Sequence, residues 1–207
     1  MNQTITLALT GASGMPYGIR LLECLLGAGM RVYLLYSQAA QIVARQEMGL
    51  ALPGRAKDAE AFFAQRFNAT PGQLRAFGRE EWFAPVASGS NAADAMVVCP
   101  CTMGTLAAIA QGLADNLIER AADVMLKEAR KLILVPRETP LSALHLENLL
   151  KLARFGAVIL PAAPGFYHRP ARIEDLVDFV VARILDQLRI PHELMRRWGE
   201  AAAEEEP

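Results

Sequence analysis

Ile5-Thr6-Leu7-Ala8-Leu9-Thr10 runs straight into Gly11-Ala12-Ser13-Gly14, an apolar strand that ends in a turn of small residues. Four more segments have the same form. RVYLLY (31–36) leads to Ser37, AMVVCP (95–100) to Cys101-Thr102-Met103-Gly104, LILVP (132–136) to Arg137-Glu138, and AVILPAAP (157–164) to Gly165-Phe166-Tyr167-His168-Arg169. In an open parallel sheet, ligands bind in the crevice outside the carboxyl ends of the strands, so these loops are expected to line one site. An anionic, nucleotide-like ligand is the first expectation.

The segments between the strands read as helices. Pro16 suits a first helical turn, and Ile19, Leu21, Leu22, Leu25 and Leu26 then recur at roughly helical spacing until Gly27 and Gly29. Ser37 can cap a helix over about 38–48, which Pro53-Gly54 ends. Residues 54–92 are the least regular and read as a helix, a short strand and a loop. Beyond them, strands near 95–99, 131–136 and 156–160 alternate with helices near 103–114, 116–130, 142–154 and 174–188. This alternation predicts an α/β fold with a doubly wound, mostly parallel sheet flanked by helices.

A chain of 207 residues, 53% hydrophobic and 21% charged, can bury one sizeable core and would be cramped as two full domains. One domain over 1–207 is expected, with an ordered core of about 4–200 and a fraying tail at Glu204-Glu205-Glu206. A net charge of −1 offers no broad basic surface for nucleic acid. Three cysteines, Cys24, Cys99 and Cys101, make neither a disulfide set nor a zinc cluster, and the C-x-C pair would share one strand face. No signal peptide or 18-residue apolar run is present, so a cytoplasmic protein without a membrane segment is expected.

Several constellations could carry chemistry, each beside a plainer reading. Gly11 to Gly14 with Gly18 could hold an anion or a flavin edge at a helix N-terminus, or be only a tight turn; its spacing is not G-x-G-x-x-G. An NAD site wants an acidic residue after the second strand, where this chain has Tyr36-Ser37-Gln38, so NAD is disfavoured. Thr102 to Thr105 place hydroxyls and amides at another helix start, while Cys99 and Cys101 suit buried small hydrophobes better than nucleophiles. Arg120, Asp123, Lys127 and Glu128 lie on a polar helix face where Asp123 and Lys127 form an ordinary i,i+4 pair. Arg137 and Glu138 follow a strand directly, as a site or as a salt-bridged loop. Tyr167 and Arg183 are good phosphate donors, or else a rigid turn and a helix edge. Glu47 alone reads as a surface carboxylate.

Taken together, Thr10-Gly11-Ala12-Ser13-Gly14-x-x-Tyr17-Gly18, Cys99-Pro100-Cys101, Arg120-Ala-Ala-Asp123-Val-x-Leu-Lys127-Glu128, Val135-Pro136-Arg137-Glu138-x-Pro140-Leu141, His145-Leu-Glu147-Asn148 and Phe166-Tyr167-His168 resemble the flavin prenyltransferase (UbiX) family. The likeness spans about residues 4–200. It implies a Rossmann-like fold and the joining of a dimethylallyl group from dimethylallyl monophosphate to reduced FMN, with a new ring between flavin N5 and C6. The prenylated FMN would serve a separate UbiD-type decarboxylase, often in ubiquinone biosynthesis. No metal is implied; protein cations and donors would do that work on a monophosphate. A homo-oligomer is implied too, usually a dodecamer.

Carried over by position, the resemblance gives FMN binding to Gly11, Ala12, Ser13, Ser37, Thr102, Met103, Gly104, Thr105 and Arg137. Tyr167 and Arg183 would hold the dimethylallyl phosphate, with Arg120, Lys127 and Glu138 completing its pocket. Ser13 and Glu47 would form a polar link near flavin N5. Ring closure requires loss of a proton, for which Glu138 or the released phosphate is the candidate base. Trp82 and Trp198 are candidate aromatic walls for an allylic cation. The chain departs from the commonest family pattern at Met15-Pro16, which bears on prenyl chain length, and at Thr102-Met103. Two rival readings stay open: a flavin-dependent cysteine decarboxylase, expected to place a histidine near the flavin, and a non-catalytic flavin carrier.

Overall fold

The computed structural model describes residues 3–195. Trp198 and the acidic tail lie outside them. The chain divides into two compact units, Met1–Ala162 and Ala163–Pro207. In the first unit the strands are β1 (Thr4–Leu9), β2 (Arg31–Tyr36), β3 (Leu74–Ala76), β4 (Ala95–Cys101), β5 (Lys131–Pro136) and β6 (Val158–Ile159). Its helices are α1 (Met15–Gly27), α2 (Gln38–Met48), α3 (Ala56–Arg66), α4 (Met103–Ala110), α5 (Leu117–Lys127) and α6 (Ala143–Arg154), with short 3-10 turns at Pro85–Ala87 and Gly89–Asn91. The second unit carries α7 (Ile173–Leu188).

All six strands are parallel, in the order β3-β2-β1-β4-β5-β6. The chain winds outward from β1 through β3, then returns to place β4 against the other side of β1. The order therefore reverses between β1 and β4, and the crevice above a reversal is where open α/β sheets bind ligands.

Helices cover both faces of the sheet, which is why the strands read as unbroken apolar runs. On one face Ala8, Met96, Val98, Leu132 and Leu134 form a cluster with Leu106 of α4 and Leu117, Ala121 and Met125 of α5. On the other, α1 approaches so closely that a Cβ on Gly18 would sit 2.6 Å from Leu9 Cδ2 and 2.3 Å from the Cys99 carbonyl oxygen. Only glycine allows that approach without displacing backbone.

The expected elements occur with three shortenings, one of them the helix expected near 116–130, which spans Leu117–Lys127. The helix expected over 103–114 stops at Ala110, closed by Gly112 at φ 72°. The last strand shrinks to Val158–Ile159 at the sheet edge, where burial on one flank only supports two paired residues. The C-x-C expectation is corrected as well. A register shift between Val98 and Cys101 breaks the two-residue alternation, and Cys101 joins the α4/α5 cluster while Cys99, equally buried, does not.

Candidate active site at the strand carboxyl ends

Three helices whose first residues meet at one cavity begin with a side-chain cap. Ser37 Oγ accepts from Ala40 N at 3.1 Å at the start of α2, and Thr102 Oγ1 accepts from Thr105 N at 3.1 Å at the start of α4. Asn116 Oδ1 accepts from Ile118 N and Glu119 N, at 3.0 and 3.2 Å, at the start of α5. Each cap satisfies amides that the helix cannot and is worth about 1 kcal/mol. Thr10 ties the central strands together: its hydroxyl donates to the Pro100 carbonyl and accepts from Thr102 N, both at 2.8 Å.

These starts surround one cavity of about 350 Å³. Thr10 and Gly11 line it from β1, Ser37 to Ala39 from α2, Thr102 and Thr105 from α4, and Asn116 and Ile118 from α5, with Arg79 beside them. Helix N-termini carry partial positive charge and free amides. Three of them line this space together with the exposed Arg79, and no acidic residue does, so it suits an anion. The residues present fit the phosphate end of a flavin mononucleotide.

The β1–α1 turn is held differently. Gly14 caps α1 in a left-handed conformation, φ 109°, and offers no side chain. Glu47, from the last turn of α2, supplies the missing cap: its carboxylate accepts from Gly14 N at 3.0 Å and Met15 N at 2.9 Å. Tyr17 lies nearby, its phenol pushed above the usual range by burial first, then by Cys99 and Glu47. Ala12 is buried and Ser13 exposed. Glu47 thus bonds to backbone amides, and no hydrogen bond joins it to Ser13 among the described residues.

Within the α4 segment, Met103 is buried in the α4/α5 cluster and Gly104 is exposed. On α5, Arg120 Nε donates to the Ala87 carbonyl at 3.0 Å, and its guanidinium pairs with Asp123 at 2.8 Å. Lys127 pairs with Glu128. The expected Asp123–Lys127 pair is not formed, because each charge has a nearer partner. Both basic residues neighbour the segment 85–91: a Cβ on Gly89 would meet the Lys127 and Glu128 side-chain tips. Arg137 and Glu138 are exposed past β5, outside the cavity lining, and among the described residues the Glu138 carboxylate accepts only from Thr139 N, at 3.2 Å. Trp82 is 45% exposed.

In the second unit, Tyr167 and His168 pack on Phe179, with ring centroids 5.7 and 5.4 Å away. Both His168 ring nitrogens are buried without a hydrogen-bond partner among the described residues. Arg183 pairs with Asp186 at 2.6 Å on the exposed side of α7, and Asp186 also meets His192 at 3.2 Å. His145, back in the first unit, serves the fold, since Ser142 N donates to its Nδ1 at 3.3 Å as half of a capping box on α6.

Burial holds both thiols in the neutral form. Cys101 is pushed up to about 12, and Cys99 well above the ordinary thiol range, with Cys101 adding to the burial effect. A thiolate nucleophile is therefore out of reach at neutral pH. Among the described residues no three His, Cys, Asp or Glu side chains are grouped to hold a metal ion, and no helix is long and apolar enough to cross a membrane.

Residues 1–185 match the Flavoprotein family. A flavin prenyltransferase UbiX of Pseudomonas aeruginosa is 59% identical over 198 residues, covering 96% of this chain and 95% of the relative. This chain belongs to the flavin prenyltransferase family. Among solved structures, a UbiX protein in complex with FMN and dimethylallyl pyrophosphate shares 40% identity and a TM-score of 0.85, covering 96% of this chain and 98% of that one. A dodecameric, FMN-dependent UbiX-like protein of Escherichia coli O157:H7 shares 41% identity and a TM-score of 0.82, covering 94% and 98%. An FMN-dependent cysteine decarboxylase of thioviridamide biosynthesis, at 22% identity and a TM-score of 0.56, shares the fold alone.

In this flavin prenyltransferase the cavity gathers Gly11, Ser37, Thr102 and Thr105 from the sequence-based set. It leaves Ala12, Ser13, Met103, Gly104, Arg137 and Glu138 off the lining. Asn116 and Arg79 are among the lining residues that the sequence-based set lacks. Asn116 carried a signal, an asparagine just before an apolar-periodic helix. Arg79 carried none, since it falls in the irregular stretch 54–92.

Proposed function

We propose that this chain transfers a dimethylallyl group from dimethylallyl monophosphate to reduced FMN, giving prenylated FMN. The observation that supports this most is a carboxylate-free cavity ringed by three helix N-termini at the sheet reversal, in a chain of this family. Gly11, Ser37, Thr102 and Thr105 hold the FMN, helped by Ala12, Ser13, Met103, Gly104 and Arg137. When bound, reduced FMN supplies the nucleophilic N5 and C6 positions.

Tyr167 and Arg183 hold the phosphate of the prenyl donor, with Arg120 and Lys127 adding positive charge. Exposed ion pairs such as Arg183–Asp186 are worth at most about 1 kcal/mol, whereas a hydrogen bond to a charged group is worth about 1.5–3 kcal/mol. The guanidinium therefore gains by turning from Asp186 to a phosphate. These donors and cations stabilise the leaving phosphate without a metal. Glu47 fixes the turn that carries Ser13, and Glu138 takes the proton lost from C6. The chain acts as one flavoprotein domain over 1–207 in the cytoplasm, as a homo-oligomer such as a dodecamer, and passes its product to a UbiD-type decarboxylase.

The test is an anaerobic incubation of pure protein with reduced FMN and dimethylallyl monophosphate in the presence of a chelator, followed by mass measurement of the flavin. The flavin should be heavier by one five-carbon unit, with one phosphate released per product. An unchanged flavin mass would leave only a flavin carrier.

A further inference from the structure

Arg79 is the one charged residue lining the cavity. It follows Phe77, a buried ring set edge-on to Tyr33, and its own carbonyl accepts from Leu117 N at 2.8 Å, at the first residue of α5. The backbone of Arg79 is thus fixed to the helix start that contributes Asn116 and Ile118. Its side chain is not used to hold the fold. Among the described residues the guanidinium makes no hydrogen bond and no ion pair, whereas Arg120, Arg130, Arg172 and Arg183 each meet a carboxylate. Of the two acids that follow it, Glu81 is engaged by Gly78 N at 3.0 Å, and neither lines the cavity.

Arg79 is exposed and its charge is screened by water, but an anion seated in a cavity ringed by three positive helix ends would draw in an unpaired cation from the lining. A planar guanidinium also matches phosphate oxygens two at a time. We propose that Arg79 is the cation that grips the phosphate of the bound flavin mononucleotide, and that it sets the preference for FMN over the unphosphorylated flavin. The inference rests on the flavin reading above. It also separates Arg79 from Arg137, which lies off the lining.

Fluorescence titrations of wild type, Arg79→Ala and Arg79→Gln with FMN and with riboflavin decide it, with Arg75→Ala as a control that removes the same charge from the exposed position over the Phe77 ring. Both Arg79 variants should lose roughly tenfold to hundredfold in FMN affinity, the loss of a charge-assisted hydrogen bond, with riboflavin affinity unchanged. Arg75→Ala should match wild type on both ligands, and melting temperatures of the Arg79 variants should stay level because the Arg79 side chain makes no polar contact that the fold relies on. Unchanged FMN affinity, or equal losses on FMN and riboflavin, would overturn this role for Arg79 while leaving the flavin reading intact. Wild-type protein that binds no FMN would overturn both.

Discussion

The cavity at the strand ends and the Tyr167–Arg183 region are built on opposite terms. Around the cavity, Thr10, Ser37, Thr102 and Asn116 hold backbone amides or carbonyls in place, so the anion site is formed by folding itself. In the second unit, Tyr167 is exposed and Arg183 rests in an exposed pair with Asp186. Glu138 is similarly unconstrained at the end of β5. The difference suits the proposed division of labour, in which caps and helix ends would hold the ligand and side chains with cheap, breakable contacts would act during the reaction.

The largest expected effect falls on chemistry. Glu138→Gln keeps shape and hydrogen bonding but loses basicity, so it should bind both substrates while the rate of product formation drops on the order of a hundredfold or more. Stopped-flow absorbance under single-turnover conditions reads this directly. A wild-type rate would remove Glu138 as the base and point to the departing phosphate.

Next come Tyr167→Phe and Arg183→Ala. Each should retain FMN affinity and lose about tenfold or more in prenyl transfer, since each removes one phosphate donor worth about 1.5–3 kcal/mol when charge-assisted. Loss of FMN binding in both would erase the contrast between the two regions. The smallest effect belongs to Thr102→Ala. Removing the α4 cap should cost about 1 kcal/mol in chemical denaturation and also weaken FMN binding, because Thr102 caps α4 and is proposed to hold the FMN. A change in stability with FMN affinity untouched would move Thr102 out of the site.

Much of this division was legible in the sequence. Ser37 and Thr102 announce themselves because a hydroxyl between an apolar strand and a helical period has one common use, the cap. The ends of β1, β2 and β4 pointed to the crevice before any topology was known, whereas the expected loops after β5 and β6 add no residue to its lining. What escaped was tertiary. Glu47 caps a helix 32 and 33 residues away, a partnership no local spacing encodes. Arg79 sits where hydrophobic period is lost, and Cys101 turns to the other face through a register shift that alternation alone does not reveal. The Asp123–Lys127 pair failed for a related reason: helical spacing allows it, but Arg120 and Glu128 compete for the same charges.

The central claim is that the helix starts at the sheet reversal hold the phosphate of FMN, and a crystal structure of the FMN-soaked protein tests it most directly. The phosphate should lie in the cavity between the starts of α2, α4 and α5, with donors from Ser37 and Thr105 at about 2.7–3.2 Å. A phosphate bound outside that cavity, with the helix starts facing the flavin ring or no ligand at all, would contradict the account.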